Sequence, residues 1–174
     1  MFNYGADLCD TAPMSGDDAR WLTTEQQNHW RAYLRGSRLL EVALDDELAP
    51  FKTQITEYEL LSMLSESPGG RSRMAQLADA IVQSRSRVTH TASRLERRGW
   101  VRREACADDR RGIELVLTDA GREALLRMAP AHVGSVRQHL VDVLSDEEFA
   151  ALGRAMAIVR DSLRPEHHEI RAAD

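Results

Sequence analysis

The sequence predicts a mainly α-helical protein with one small β-hairpin, and three observations predict it. Apolar residues recur at spacings of three and four along most of the chain, the period of amphipathic helices. Residues 100–117 break that texture, with alternating and β-branched segments on either side of a turn-forming centre. Charge is also polarised. Residues 71–111 hold 11 arginines and 5 acidic residues, net +6, while the other 12 basic and 23 acidic side chains make the remainder −11 within a total of −5. An acidic protein with one basic block fits an anionic polymer meeting the chain at one place. Composition alone leaves a solvated, salt-bridged face as the alternative.

Residues 1–22 show no period and read as an N-terminal arm. Thr24 with Gln27 resembles a helix start. Trp30, Tyr33, Leu34, Leu40, Leu44 and Leu48 then form the stripe of one long helix ending before Pro50. A second helix is expected from a Thr56-x-x-Glu59 capping box through Leu64, stopped by Ser67-Pro68-Gly69-Gly70. Met74, Leu77, Ala78 and Ile81 mark a short third helix. After a turn at Val82-Gln83, Ser84 caps a fourth through Arg98, with Gly99 at its end. The hairpin pairs Trp100–Glu104 with Ile113–Leu117 around a charged tip, 107–112. A helix from Asp119 to about Leu144 should kink or restart at Pro130. A capping box at Ser145–Glu148 opens the last helix, with Phe149, Leu152, Met156, Val159 and Leu163 as its stripe.

Short helix, tight turn, arginine-rich helix, hairpin: that order is a winged helix-turn-helix, and the long first and last helices carry apolar stripes wide enough to pack against another chain as a helical dimerisation region. The domain reading follows. Residues 51–118 form the DNA-binding lobe, 23–50 and 119–165 the dimerisation region, and 166–174 a polar tail. In such a lobe the fourth helix enters the major groove and the hairpin tip suits the narrow, electronegative minor groove. Ser84, Ser86 and Thr89 are short hydroxyl donors that permit close approach. Arg87, His90 and Arg94 share their helix, and Arg110 and Arg111 sit at the tip beside Asp109.

Taken together, Ser84–Thr89, Arg94–Val101, Asp109-Arg110-Arg111-Gly112 and Leu117-Thr118-Asp119-Ala120-Gly121 resemble the MarR family of bacterial transcriptional regulators. The specific signature is Asp109-x-Arg111 at the wing tip, with Leu117-Thr118-x-x-Gly121 after it. The resemblance spans roughly residues 24–163. It implies a homodimer joined through the first and last two helices, a pseudo-palindromic double-stranded DNA site, a wing arginine in the minor groove, and release by a small effector or an oxidised thiol, for which Cys9 and Cys106 are the candidates. His90 departs from the family, standing where many members carry a basic residue. A histidine is mostly uncharged at neutral pH, so that contact is expected to be weaker or pH-dependent.

Trp30, Tyr33 and Tyr58, with Arg31 or Arg35 as carboxylate partners, are candidates for a pocket taking an aromatic or anionic effector. Aromatics at helical spacing also serve core or dimer packing. Cys9 and Cys106 form no CxxC, and the histidines make no ligand-spaced cluster, so no metal or cofactor is expected. There is no P-loop, GxSxG, HExxH or dinucleotide fingerprint, which argues against an enzyme. No secretion signal or membrane-length apolar run is present, so a cytoplasmic protein that does not engage a membrane is expected. The rival reading is a winged-helix protein-interaction module that does not bind DNA.

Overall fold

The computed structural model describes residues 20–106 and 112–163. They divide into two compact units, 1–36 and 37–174. The division falls inside the first helix, α1 (Thr24–Leu48).

In the first unit the reciprocal cap of α1 is one residue earlier than the sequence suggested. The Thr23 N–H donates to Gln26 Oε1 at 2.9 Å, and the Gln26 N–H to Thr23 Oγ1 at 3.2 Å. Thr24 is the first residue inside the helix instead of its cap. Trp30 and Tyr33, one turn apart, stack with ring centroids 5.9 Å apart.

In the second unit α1 ends in a 3-10 turn, Ala49–Phe51, led by Pro50. Then come α2 (Ile55–Glu66), β1 (Arg71–Arg73), α3 (Met74–Ala80), α4 (Arg85–Arg97), β2 (Val101–Ala105), β3 (Ile113–Leu117), α5 (Asp119–His139) and α6 (Asp146–Leu163). The expected Thr56–Glu59 box does not form. The Gln54 N–H donates to Glu57 Oε2 (3.0 Å), and Asp45 Oδ1 on α1 accepts from the Ile55 N–H (2.6 Å). A carboxylate from a neighbouring helix satisfies an orphan donor as well as a local cap does, and complements the helix dipole.

The expected hairpin is there, with Val101 opposite Leu117 and Ala105 opposite Ile113. A third strand joins it. The sheet order is β1-β3-β2, all antiparallel, with Arg71 opposite Val116. A three-residue strand following Pro-Gly-Gly carries no periodicity of its own, so only its partner reveals it. Pro130 does not break α5, which ends at His139 instead of near Leu144. The Ser145–Glu148 box forms as read, each backbone N–H bonding the other's side chain.

The core gathers Leu60, Leu61 and Leu64 of α2, Leu77 of α3, Val88, Ala92 and Leu95 of α4, Val101 and Leu115 of the sheet, and Met128 of α5. Leu48 belongs to it too, and Leu44 packs against it. The end of the α1 stripe therefore serves this lobe. By contrast α6 buries none of its residues; Phe149, Met156, Ile158, Val159 and Leu163 are all exposed.

Candidate nucleic-acid interface

α4 stands at a tight corner. Val82 takes a left-handed backbone (φ 53°), which turns the chain between α3 and α4 within four residues. Ser84 then caps α4, its Oγ accepting from the Arg87 N–H at 3.3 Å. Periodicity does the rest. Val88, Thr91, Ala92 and Leu95 recur at three and four and are buried. The opposite face of the first turns therefore presents Arg85, Ser86, Arg87, Thr89 and His90, all exposed. Among the described residues neither the Arg85 nor the Arg87 guanidinium has a hydrogen-bond or ion-pair partner. The Thr89 hydroxyl donates to the Arg85 carbonyl (2.8 Å) and keeps acceptor capacity. Ser86, Arg87 and His90 border a groove of about 530 Å³ whose opposite wall carries Glu41 and Asp45 of α1.

Further along, Arg94 and Arg98 turn inward, while Arg97 stays exposed. Arg94, expected at DNA, places Nε 3.1 Å from Glu57 Oε1 and donates from a terminal nitrogen to Gln54 Oε1 at 2.7 Å. Glu57 is 2 % exposed. Arg98 donates to the carbonyls of Phe51 and Lys52, both at 2.9 Å, and to Thr53 Oγ1 at 3.1 Å. Its guanidinium carbon lies 3.4 Å from the Trp100 ring centroid. Burial pulls the Arg98 guanidinium below its ordinary range, against the opposing pull of Glu57. These contacts tie the rear of α4 to the α1–α2 connection.

The hairpin is braced from both sides. Arg71 on β1 reaches Glu104 (2.8 Å) and Glu114 (3.5 Å), carboxylates that lie directly opposite each other on β2 and β3. Arg102 also pairs with Glu104 (2.6 Å), and its hydrogen bond is the main reason the Glu104 carboxyl lies below the usual range. Arg103 pairs with Glu96 of α4. Asp109, Arg110 and Arg111, the expected wing-tip residues, lie outside the described residues. Cys106, at the end of β2, is buried with a free thiol.

The Leu117-Thr118-x-x-Gly121 signature has a physical reading. The Thr118 hydroxyl caps α5 by accepting from the Gly121 N–H (3.0 Å) and donates to the Gly99 carbonyl (2.7 Å). Gly121 permits the close approach, since a Cβ there would lie 2.0 Å from the Trp100 carbonyl oxygen. Gly99 itself has φ 71°, the left-handed turn that ends α4. One clamp thus fixes the corner where α4 becomes β2.

The expected effector residues are shared between the two units. Trp30 and Tyr33 form their stacked pair in the first unit, with Arg31 and Arg35 exposed on the same helix. Arg31 donates to Gln27 at 3.3 Å. Tyr58, in the second unit, is buried with its ring 4.2 Å from that of His132 on α5. Burial raises the Tyr58 phenol, with Glu66 adding to it, and lowers the His132 imidazole. Sequence reasoning missed Arg71 and Arg98, whose hydrogen-bond partners lie 33 or more residues away, and Arg103, whose side-chain partners lie 7 to 14 residues before it. Only Glu96, seven residues before Arg103, could have hinted at one of them.

Among the described residues no helix is long and apolar enough to cross a membrane. A family model described as MarR family matches residues 52–112. The HTH-type transcriptional regulator PecS of Dickeya dadantii (strain 3937) is 32 % identical over 125 residues, covering 69 % of this chain and 75 % of that one. Two solved structures from Streptomyces coelicolor are 44 % identical. Sco3205, a MarR family transcriptional regulator in complex with DNA, superimposes with a TM-score of 0.83 over 90 % of this chain and 100 % of that one. AbsC, also a MarR family transcriptional regulator, does so with a TM-score of 0.80 over 84 % and 99 %.

Proposed function

The chain belongs to the MarR family of transcriptional regulators, and from that premise we propose that it is a cytoplasmic homodimeric repressor of a pseudo-palindromic operator, released by a small effector. The observation that carries the DNA reading is the first half of α4. Ser86, Arg87, Thr89 and His90 are exposed on one face, capped by Ser84, with the arginines uncommitted. Arg87, one turn into the helix, is the base reader. Its planar fork can donate two parallel bonds to a guanine edge. Arg94 is a scaffold residue in this reading, because leaving Glu57 to bind DNA would strand a buried carboxylate. Asp109, Arg110 and Arg111 remain the minor-groove candidates, through the wing that β2 and β3 support.

The homodimer reading rests on the apolar faces that the monomer leaves in water. Ile158, Val159 and Leu163 of α6 and Leu126 and Val133 of α5 are exposed, and exposed apolar faces of this kind mark interaction surfaces. A two-fold dimer places two recognition helices about 34–36 Å apart, one turn of the duplex, which is why the operator should be a pseudo-palindrome. The effector reading rests on the exposed Trp30–Tyr33 stack with Arg31 and Arg35 beside it, apolar wall and anion partner together. Linkage requires effector and DNA to weaken each other by the same factor.

Anisotropy titration of the full chain on DNA from upstream of its own gene tests the reading. Log affinity should fall with log salt by about 0.9 per phosphate neutralised. Aromatic acids that release wild-type DNA should lose that effect in Trp30→Ala and Tyr33→Ala. A salt-independent signal, or equal affinity for random DNA, contradicts the operator. Effector release that both variants retain contradicts the pocket.

A further inference from the structure

We propose that Arg103 is a positioning residue for DNA reading, bracing the recognition helix α4 against strand β2 so that helix and wing reach DNA in one fixed register. The proposal rests on the DNA-binding reading above. Arg103 sits on β2 opposite Leu115 of β3. From there its side chain crosses to α4 and makes a set of bonds unmatched among the described residues of the hairpin. One terminal nitrogen pairs with Glu96 Oε2. The other donates to Ser93 Oγ at 2.9 Å and to the Thr89 carbonyl at 3.2 Å. Its backbone N–H donates to Glu96 Oε1 at 3.2 Å. Both oxygens of Glu96 are thus held by one residue of the neighbouring strand.

Three physical points make this a brace for reading. The first is reach. The contacts run from Glu96 back to Thr89, seven residues or roughly 10 Å of helix. They therefore touch both the rear of α4 and the backbone of the exposed reading half. The second is leverage. β2 has five residues. At about 3.3 Å per residue, a swing of roughly 10° at its base moves its far end by about 3 Å, more than a hydrogen bond tolerates. Free of α4, a hairpin would meet the minor groove at a spread of angles. The third is charge. Glu96 is the only acidic residue of α4, on a helix that approaches a polyanion. Alone it would repel phosphate; engaged by Arg103 it becomes a strut.

An arginine is required because its fork engages several acceptors at once, whereas lysine offers a point charge on a flexible stem. That distinction supplies the experiment. Wild-type full-length protein first selects its site from random DNA; failure to select any sequence is a failure of the functional reading, seen before a variant is made. Glu96→Ala, Arg103→Lys and Glu96→Gln are then compared on the selected site by thermal unfolding, salt titration and hydroxyl-radical footprinting. The brace predicts folded dimers in which Glu96→Ala and Arg103→Lys bind about tenfold or more weakly, with the log–log salt slope shallower by about 0.9 for each wing phosphate lost. Protection flanking each half-site should disappear while protection at the half-site centres stays. Glu96→Gln, which keeps an acceptor, should fall between.

Two outcomes overturn the proposal. If Arg103 instead touches phosphate itself, Glu96→Ala frees it and removes a repelling carboxylate, so affinity rises. If the cluster only holds the fold together, melting temperature drops while affinity, slope and footprint below the transition match wild type. Should Glu96→Ala fail to fold, Arg103→Lys and Glu96→Gln carry the same readouts, the strand charge being retained in both and the helix carboxylate in the first.

Discussion

In the first half of α4, Arg85, Ser86, Arg87, Thr89 and His90 lie exposed, and the two guanidinium groups have no partner among the described residues. From its second half onward the helix is anchored. Arg94 is bound to buried Glu57 and to Gln54, Arg98 to the Phe51 and Lys52 carbonyls, and Glu96 to Arg103. A single basic helix thus divides into an end available to a ligand and an end bolted into the lobe. The division follows from neighbours. The rear of α4 passes the α1–α2 connection and β2, which supply acceptors. The front emerges from a four-residue turn and borders a groove. Basic charge in a sequence therefore counts potential phosphate contacts, not actual ones.

The anchored end should be the costlier to disturb, and its corner costliest. The Gly121→Ala methyl would lie 2.0 Å from the Trp100 carbonyl and 2.8 Å from a Leu117 methyl. The nearer atom is backbone, held by the Thr118 N–H (3.0 Å), so it cannot simply step aside. Overpacking a tight site costs about 1–3 kcal/mol and sometimes more, and a backbone clash belongs at or above the top of that range. Chemical denaturation should show a loss of about 3 kcal/mol or no folded protein at all. A loss under 0.5 kcal/mol would mean that α5 and the α4–β2 corner can part freely.

Next comes the contrast of Arg94→Met with Arg87→Ala, one arginine from each half. Arg94→Met leaves the Glu57 carboxylate buried without its ion partner. Breaking a fully buried pair costs about 3–5 kcal/mol, but Arg94 is 33 % exposed, so solvent screening reduces the expected loss to about 2 kcal/mol. Binding by the folded fraction should keep its salt slope. Arg87→Ala should do the reverse, leaving the unfolding midpoint within error while weakening DNA by about 1–3 kcal/mol and relaxing preference at one base pair. An unchanged site-selection profile for Arg87→Ala would reassign it to phosphate. A shallower salt slope for Arg94→Met would return Arg94 to the DNA surface.

These expectations also mark what the chain disclosed before folding. Helices α1 to α6, the Ser84 and Ser145 caps and the hairpin were readable because each rests on local spacing. The strand β1 was not, since three residues become a strand only beside β3. The α2 cap was misread by two residues: Gln54 and Glu57 form the box in place of Thr56 and Glu59, and Asp45, ten residues upstream, accepts from the Ile55 N–H as well. Arginine roles were the least readable of all. Arg87 and Arg94 look alike on a helical wheel, and only the position of Glu57 in space separates them.

The smallest expected effect concerns what holds the exposed end in place. Val82 sits in the left-handed region, with its N–H on the Asp79 carbonyl at 3.2 Å, and the next N–H returns to Ala78 at 2.9 Å. A left-handed conformation costs a residue with a Cβ about 1–2 kcal/mol, and β-branching does not ease it. Val82→Gly removes that strain but gives the unfolded chain about 0.5–1 kcal/mol more entropy to lose. Val82 is 58 % exposed, so little packing is forfeited. The net expectation is a gain of roughly 0.5 kcal/mol in stability. Affinity should not follow it upward. The turn is what aims the front of α4, whereas ion pairs aim the rear, so a more pliable turn widens the range of angles at which Arg87 meets a base. Denaturation and anisotropy on the same preparation decide the matter. A variant that gains stability and affinity together would show that the contacts at the rear of α4 aim the whole helix, and that the turn contributes only strain.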